Sequence, residues 1–334
     1  MNDLTLAIRH GETLGMVGES GCGKTTVGRC LLRLYEPERG RVFLDADPAV
    51  AGQVVELDRE ARALDGSADA RQRVREIRAR ADSLAAGLDL LSMDRAQVKQ
   101  ARRKLQIVFQ DPWASLNPRM LVGDILSEGP REFGVTGAAV LGDLTGKLLD
   151  MVGMPRHAAG RYPHQFSGGQ RQRIGIARAL ALEPELIVAD EPVSALGVSI
   201  QAQIVNLLLE LQREMGLAYL FIAHDLSIVR YVSDRIAVMY LGHLVELGDA
   251  QAVCERPRHP YTISLMSAVP VADPDAPPAD RPLEGDVPSP VNPPPGCPFH
   301  PRCPQAIDEC RRSMPALTTT ADGHTFACHN PPPA

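Results

Sequence analysis

Short unbroken runs of apolar residues alternate along this chain with longer stretches in which apolar residues recur at helical spacing. Unbroken runs are typical of strands buried on both faces of a parallel sheet, because neither face meets solvent. Strands of this kind joined by helices predict an α/β fold. The predicted buried strands are 13–17, 104–109, 186–189 and 219–223, and two further strands are predicted at 4–8 and 41–44.

A charged tract before the strand at 104–109 carries two amphipathic stripes, separated by turn-like residues 65–69. The stripes consist of Val54, Leu57, Ala61 and Leu64, and of Val74, Ile77, Ala81, Leu84 and Leu88. This pattern predicts a helical hairpin at 46–86. A solvated surface elaboration is favoured over a partner-binding device, because charged helical faces usually face solvent.

The strand at 13–17 leads into Gly-Glu-Ser-Gly-Cys-Gly-Lys-Thr at 18–25, and apolar spacing predicts a helix at 26–34. Strand, glycine-rich loop and helix in this order predict a phosphate-binding loop, although a glycine-rich turn with a chance lysine is the alternative. Backbone N–H groups and the helix N-terminus bind phosphate, Lys24 adds a charge, and Thr25 is placed to ligate Mg²⁺. The predicted nucleotide contacts are Gly18, Ser20, Gly21, Cys22, Gly23, Lys24, Thr25 and Thr26.

Polar residues follow three of the other predicted buried strands. Asp190 and Glu191 end one, where Asp190 is expected to hold Mg²⁺ and Glu191 to deprotonate an attacking water. His224 ends another and is expected to contact the γ-phosphate, although a structural histidine is the commoner role. Gln110 ends the third, where a Mg²⁺ or water contact competes with a turn-capping role.

Ser167-Gly168-Gly169-Gln170 precedes a predicted helix at 171–182. Serine is a favourable N-cap, and the two glycines leave the first N–H groups of the helix uncovered. We therefore predict a second anion site here, suited to the far side of a γ-phosphate. An ordinary capped helix is the alternative interpretation.

Composition narrows the function classes. The chain has 334 residues, 44% of them hydrophobic, and 35 basic against 41 acidic residues give a net charge of −6. This charge balance gives no overall positive electrostatic field that would attract nucleic acid. We expect a soluble protein in the cytoplasm, because no apolar run is long enough to span a membrane.

The order of these motifs, and above all F-S-G-G-Q-R-Q-R-I-G-I-A-R-A-L from Phe166, resembles the ATP-binding cassette ATPases of ABC transporters. The resemblance implies a P-loop NTPase fold at 1–250, with a RecA-like core, an antiparallel β subdomain and a helical signature subdomain. It implies hydrolysis of ATP with Mg²⁺ held by Thr25, Gln110 and Asp190. It also implies head-to-tail pairing, so that ATP lies between 18–26 of one subunit and 167–170 of an identical or sister subunit.

A closer resemblance, to dipeptide and oligopeptide importer ATPases, rests on F-Q-D-P-W-A-S-L-N-P-R-M, R-H-P-Y-T and the tail containing C-P-F-H-P-R-C-P. It implies that residues 110–120 face two membrane permease subunits. It also implies an extracytoplasmic peptide-binding protein and a peripheral location at the cytoplasmic face of the cell membrane. The alternatives are a nickel or other small-solute importer, a regulatory cassette with weak hydrolysis, and a soluble non-transport cassette.

Three features depart from the family pattern. Relatives place an aromatic residue, in a strand upstream of Leu4, against adenine, and this sequence has no such strand before Leu4. Either the start codon was assigned late or the chain binds the base differently. Gly197 stands where the family usually carries an aspartate, so a cross-subunit carboxylate is removed. The site then either hydrolyses at full rate without it or belongs to an asymmetric pair with one weaker site. The tract at 46–86 is additional.

The tail at 251–334 is expected to contain a proline-rich linker at 270–295 and a small module at 297–328. So short a module has few apolar residues to form a core, so its four cysteines are expected to staple it. The four cysteines are Cys297, Cys303, Cys310 and Cys328, and they are the candidate metal ligands. Their spacing leaves a cluster, zinc or free thiols open. The resemblance to importer tails favours a [4Fe–4S] cluster.

Overall fold

The computed structural model of the chain describes residues 2–64, 71–267 and 285–333. The chain divides into two compact units, Met1–Gly28 with Leu105–Ala334, and Arg29–Lys104. The turn predicted at 65–69 lies outside the described residues, as does the linker up to residue 284. Among the described helices, none is long and apolar enough to cross a membrane.

The first unit contains a mixed sheet of eight strands in the order β2-β3-β4-β1-β5-β6-β8-β7. The strands are β1 (Thr13–Val17), β2 (Leu105–Val108), β3 (Leu186–Asp190), β4 (Ala218–Ile222), β5 (Arg235–Tyr240), β6 (His243–Asp249), β7 (Thr318–Thr319) and β8 (Thr325–Phe326). The strands from β2 to β5 pair in parallel, and those from β5 to β7 pair antiparallel. Parallel pairing places the carboxyl ends of β1, β3 and β4 at one edge, where ligands bind in such sheets.

The described residues also form helices. They are α1 (Lys24–Leu31), α2 (Pro48–Leu64), α3 (Arg71–Ala85), α4 (Arg95–Lys104), α5 (Val122–Glu132), α6 (Ala138–Met151), α7 (Gly168–Leu180), α8 (Val198–Met215), α9 (Leu226–Val232), α10 (Ala250–Glu255), α11 (Pro260–Ser267) and α12 (Asp308–Arg312). Helix α8 ends at Gly216, whose φ of 68° is left-handed and therefore suits glycine.

The core of the first unit joins the sheet to the helices that flank it. Ile174 and Ile176 of α7, Ile187 of β3 and Phe221 of β4 belong to one buried cluster and are at most 2% exposed. Burial of each such side chain contributes about 1.5–3 kcal/mol. The same packing fixes the positions of the strand ends, because a close-packed core is difficult to compress.

The tail adds both backbone and side-chain contacts to the first unit. Strand β8 pairs with β6, and Phe299 packs on Tyr240 and Tyr261 with ring centroids 5.2 and 5.3 Å apart. Phe299 is 1% exposed and belongs to the same core cluster. The tail is therefore packed into the core of the first unit.

In the second unit, α2 and α3 carry the two apolar stripes at 46–86. Val54 and Ala81, both fully buried, pack with Ala85 and with half-buried Phe43. Arg41 forms ion pairs with Asp58, Asp82 and Asp89, all in this unit. The carboxylates of Asp58 and Asp82 raise the pKa of the Arg41 guanidinium, chiefly through the hydrogen bond with Asp58.

Two predicted strands are wrong. Residues 4–8 form no strand, since β1 already has β4 and β5 as neighbours and the free side of β6 is taken by β8. Residues 41–44 form only an isolated bridge between Phe43 and Asp89, because their partner is the turn after α3. The buried strands at 13–17, 104–109, 186–189 and 219–223 are confirmed to within one or two residues at each end.

Candidate nucleotide-hydrolysis site

The glycine-rich loop connects β1 to α1, as the sequence predicts. Gly18 has φ +149°, and a Cβ atom there would lie 2.2 Å from the carbonyl oxygen of Met239, so the position requires glycine. Lys24 is buried, and its Nζ donates to the carbonyl oxygens of Gly18 at 2.6 Å and Glu19 at 3.1 Å. The lysine charge therefore lies within the loop, beside the helix N-terminus that suits phosphate.

The sheet brings Thr25 and Asp190 together although they lie far apart in sequence. The Thr25 Oγ1 donates to the Asp190 Oδ1 at 2.9 Å, and Asp190 is 3% exposed. A hydroxyl and a carboxylate beside a phosphate loop offer the oxygen ligands that Mg²⁺ prefers. These two residues fit a Mg²⁺ site.

Glu191, Gln110 and His224 also converge, each from the end of a different strand. The Glu191 Oε2 accepts from the Gln110 Nε2 at 2.8 Å and lies 3.4 Å from the His224 Nδ1. The Glu191 N–H donates to the Ile222 carbonyl at 2.9 Å, which ties the end of β3 to that of β4. Glu191 has φ +46°, a conformation that costs energy for a non-glycine residue and that recurs at functional sites.

The serine-glycine segment caps α7 as predicted. The Ser167 Oγ accepts from the Gln170 N–H at 3.4 Å, and the Gln170 Oε1 accepts from the Ser167 N–H at 3.0 Å. This reciprocal pair is a capping box, and it leaves Gly168 and Gly169 in the first turn. Both hydrogen bonds lie within the segment itself.

The four tail cysteines lie close enough to influence one another. Burial, with a smaller contribution from the neighbouring thiols, raises the pKa of the Cys297 and Cys328 thiols to about 11. Burial likewise raises the pKa of Cys303, and Cys310 is buried. Within the described residues, no three of these sulfurs lie within 4.8 Å of one another.

Sequence reasoning missed two residues that contact the phosphate loop. Arg302 pairs with the Glu19 carboxylate, and the Glu19 N–H donates to the Tyr261 hydroxyl. Arg302 and Tyr261 lie in the tail, and no local pattern connects them to residue 19. The H-P-R-C sequence around Arg302 was the available signal, but it indicates only that the arginine adjoins a cysteine.

A family model described as ABC transporter matches residues 1–194. A second, described as the C-terminal region of oligopeptide/dipeptide transporters, matches residues 245–310. The chain belongs to the ABC transporter family. It is an ATPase of that family, and the mixed sheet described above is the sheet of an ABC cassette.

Curated relatives align along the whole cassette and tail. A probable peptide ABC transporter ATP-binding protein of Sinorhizobium fredii is 45% identical over 334 residues, covering 100% of this ABC protein and 83% of the relative. A putative oligopeptide transport ATP-binding protein, YkfD of Bacillus subtilis, is 46% identical over 337 residues, covering 98% and 88%.

Solved structures share the cassette fold. The cbiO1 protein of Clostridium perfringens, part of the ABC transporter complex cbiONQ, has a TM-score of 0.57 at 24% identity, covering 76% of this chain and 84% of that one. A dimeric cassette, MJ0796, bound to ADP and Pi has a TM-score of 0.56 at 24% identity, covering 73% and 88%. At this identity the likeness supports the fold alone.

Proposed function

We propose that this cassette is the ATP-hydrolysing subunit of a membrane importer for dipeptides or oligopeptides. The observation that carries the proposal is the 45% identity, along the full chain, to a relative named as a peptide ABC transporter ATP-binding protein. The match of residues 245–310 to the oligopeptide/dipeptide transporter tail supports the same substrate class.

The site supports a division of roles among its residues. The loop N–H groups and Lys24 hold the β- and γ-phosphates of ATP. Thr25, Asp190 and Gln110 would hold Mg²⁺, which would neutralise phosphate charge. Glu191 takes a proton from water as the water oxygen attacks the γ-phosphorus and the bond to the β-phosphate oxygen breaks. His224, 3.4 Å from Glu191, contacts the γ-phosphate. Gln110 would link the Mg²⁺ ion to the general base, because its side chain also donates a hydrogen bond to Glu191.

Two cassettes complete each site. The capped N-terminus of α7, at 167–170, presents N–H groups to the γ-phosphate held by 18–26 of an identical or sister subunit. The cassette MJ0796, whose fold is similar, has a dimeric structure, and the proposal extends pairing of two cassettes to this chain. Gly197 introduces no carboxylate into that interface, which keeps open a regulatory cassette with weak hydrolysis.

The importer places this subunit at the cytoplasmic face of the membrane as a peripheral component. Residues 110–120 face the two permease subunits, and Trp113 in this loop is 63% exposed. A peptide-binding protein on the far side supplies substrate.

Reconstitution of the complex tests the proposed function. We expect the tagged full chain to copurify from membranes with two permeases, and peptide with its binding protein to raise ATPase activity in proteoliposomes. A complex containing Glu191→Gln should show no such rise. Stimulation by Ni²⁺ instead of peptide would favour the nickel importer, and stimulation by nucleic acid without permeases would favour the soluble cassette. Hydrolysis that depends wholly on a sister subunit would favour the regulatory one.

We further propose that the tail cysteines hold a [4Fe–4S] cluster, with zinc as the alternative. Tetrahedral zinc at about 2.3 Å from each sulfur brings four thiolates to roughly 3.8 Å from one another. Among the described residues, no three of these sulfurs all lie within 4.8 Å of one another. A cluster binds each thiolate at a separate iron and so accepts wider spacing. The convergence of four shielded thiols fits either group better than it fits free cysteines.

Anaerobic purification tests the cluster. We expect the full chain to contain iron and acid-labile sulfide, with visible absorption that bleaches on reduction. Cys310→Ser should lose both, whereas Cys254→Ser, a half-buried cysteine outside the module, should keep them. Stoichiometric zinc without iron or labile sulfide would reject the cluster.

A further inference from the structure

The phosphate loop is bound by a side chain from the C-terminal tail. Arg302 reaches Glu19 with both arms of its guanidinium: the Nη1 donates to the Oε2 at 2.7 Å and the Nη2 to the Oε1 at 3.1 Å. The Arg302 side chain is 5% exposed and that of Glu19 is 23% exposed. Bidentate pairs shielded from water are among the stronger ion pairs in proteins and fix orientation as well as distance.

A second tail residue binds the backbone of the same loop position. The Glu19 N–H donates to the Tyr261 hydroxyl at 2.8 Å, and the Arg302 Nη1 lies 3.4 Å from the Tyr240 hydroxyl. The hydrogen bond with Glu19 is the main cause that raises the pKa of the Arg302 guanidinium. Glu19 is therefore held through both its side chain and its main chain.

The same residue supports the lysine that binds phosphate. The Glu19 carbonyl oxygen accepts from the Lys24 Nζ at 3.1 Å, beside the Gly18 carbonyl at 2.6 Å. Movement of Glu19 thus moves an acceptor of the Lys24 ammonium. On the other flank of the loop, the Gly242 N–H donates to the Cys22 carbonyl at 3.0 Å, so the loop is fixed at two points.

Building on the proposed function, we propose that Arg302 is a positioning residue for the phosphate loop, through which the C-terminal module sets the affinity of the cassette for ATP. Arg302 precedes Cys303 in the module and acts on Glu19, which lies outside the glycine–lysine–threonine part of the loop. The Arg302 guanidinium binds the Glu19 carboxylate, and the proposed mechanism gives Glu19 no part in the chemical step. Loss of the Arg302–Glu19 pair should therefore weaken binding more than it slows hydrolysis.

The module has other attachments that keep it in place without Arg302. Phe299 is 1% exposed and packs on Tyr240, Tyr261 and His259, and β8 pairs with β6. The Glu246 carboxylate, fully buried, accepts from His324 at 2.7 Å and so ties the residue before β8 to β6. A substitution confined to the guanidinium should leave these contacts intact.

The test compares Arg302→Met and Glu19→Gln in the full chain. We expect each to raise the Kd for a fluorescent ATP analogue with Mg²⁺ about fivefold to tenfold, where tenfold corresponds to about 1.4 kcal/mol, and to change kcat by less than about twofold. The double variant should bind no more weakly than the weaker single variant, because both remove one interaction. Arg302→Lys, which keeps the charge and loses the fork, should recover part of the affinity.

Matched controls separate the outcomes. Arg312→Met, an exposed arginine of the same module, should leave the Kd unchanged, and Lys24→Ala should abolish binding. A wild-type chain that fails to bind would contradict the proposed function itself. If the wild type binds the ATP analogue and Arg302→Met binds it equally tightly, Arg302 has a purely structural role, whether or not the variant has a lower Tm. That result would overturn the inference.

Hydrogen exchange supplies a second readout that does not depend on turnover. Coupling is reciprocal, so ATP binding should slow exchange at residues 297–312 in the wild type. The effect should disappear in Glu19→Gln, whose tail is unaltered. Equal protection in both proteins would count against coupling through this pair.

Discussion

Replacing Glu191 by glutamine is expected to lower the rate of ATP hydrolysis by about 10²- to 10⁴-fold while leaving ATP binding intact. The amide has the same shape as the carboxylate but takes no proton from water at neutral pH. It also keeps a partner for Gln110, whose Nε2 lies 2.8 Å from the Glu191 Oε2 in the wild type. Single-turnover hydrolysis and the Kd for ATP, measured on the same preparation, separate the two effects.

A surface substitution of the same kind provides the control. Glu214 on α8 is exposed, so Glu214→Gln should hydrolyse ATP at the wild-type rate. If Glu191→Gln did so as well, the water would have to be activated by another group, and Glu191 would be left with a structural role at the end of β3.

Replacing Ser167 by arginine is expected to lower hydrolysis at least about 10²-fold without weakening ATP binding to a single subunit. The long cationic side chain would occupy the N-terminus of α7 and cover the N–H groups that meet the phosphate held by the other subunit. Because the phosphate loop belongs to a different subunit in this arrangement, binding to the isolated chain should not change. Glu191→Gln alone should form a dimer with ATP bound. In a chain that carries both Ser167→Arg and Glu191→Gln, sedimentation with ATP should show that this dimer is lost.

Two controls isolate the steric effect from the lost cap. Ser167→Ala removes the hydroxyl that accepts from Gln170, which costs about 1 kcal/mol of helix stability, and should slow hydrolysis far less. Thr136→Arg adds the same side chain at an exposed position before α6 and should leave dimer formation unchanged. A dimer that forms normally with Ser167→Arg would place this helix end away from the nucleotide.

The sequence predicts the catalytic edge well because its signals are local. A buried strand followed by a glycine-rich loop predicts where Lys24 and Thr25 lie, and a carboxylate after the buried strand at 186–189 predicts where Asp190 lies. Parallel strands then bring the ends together, which explains why the Thr25–Asp190 contact of 2.9 Å follows from separate motifs. The N-cap at Ser167 is likewise encoded within four residues.

Contacts that depend on tertiary packing were beyond the sequence patterns. Alternation at 4–8 resembles a strand, but strand formation requires a free neighbour, and the sheet offers none there. The pair of Arg302 with Glu19 joins positions 283 residues apart, and no local sequence pattern around either residue indicates the other. Periodicity reports which face of an element is buried and carries no information about such a pair.

The chain order of this ion pair has a consequence for biosynthesis. Glu19 leaves the ribosome early, whereas Arg302 emerges 283 residues later, roughly 14 to 57 seconds at about 5–20 residues per second. The strand that joins β6 emerges later still. During that interval the nascent nucleotide loop has no anchor on its acidic residue. Translation itself thus delays full nucleotide affinity until the last part of the polypeptide has folded back onto the first.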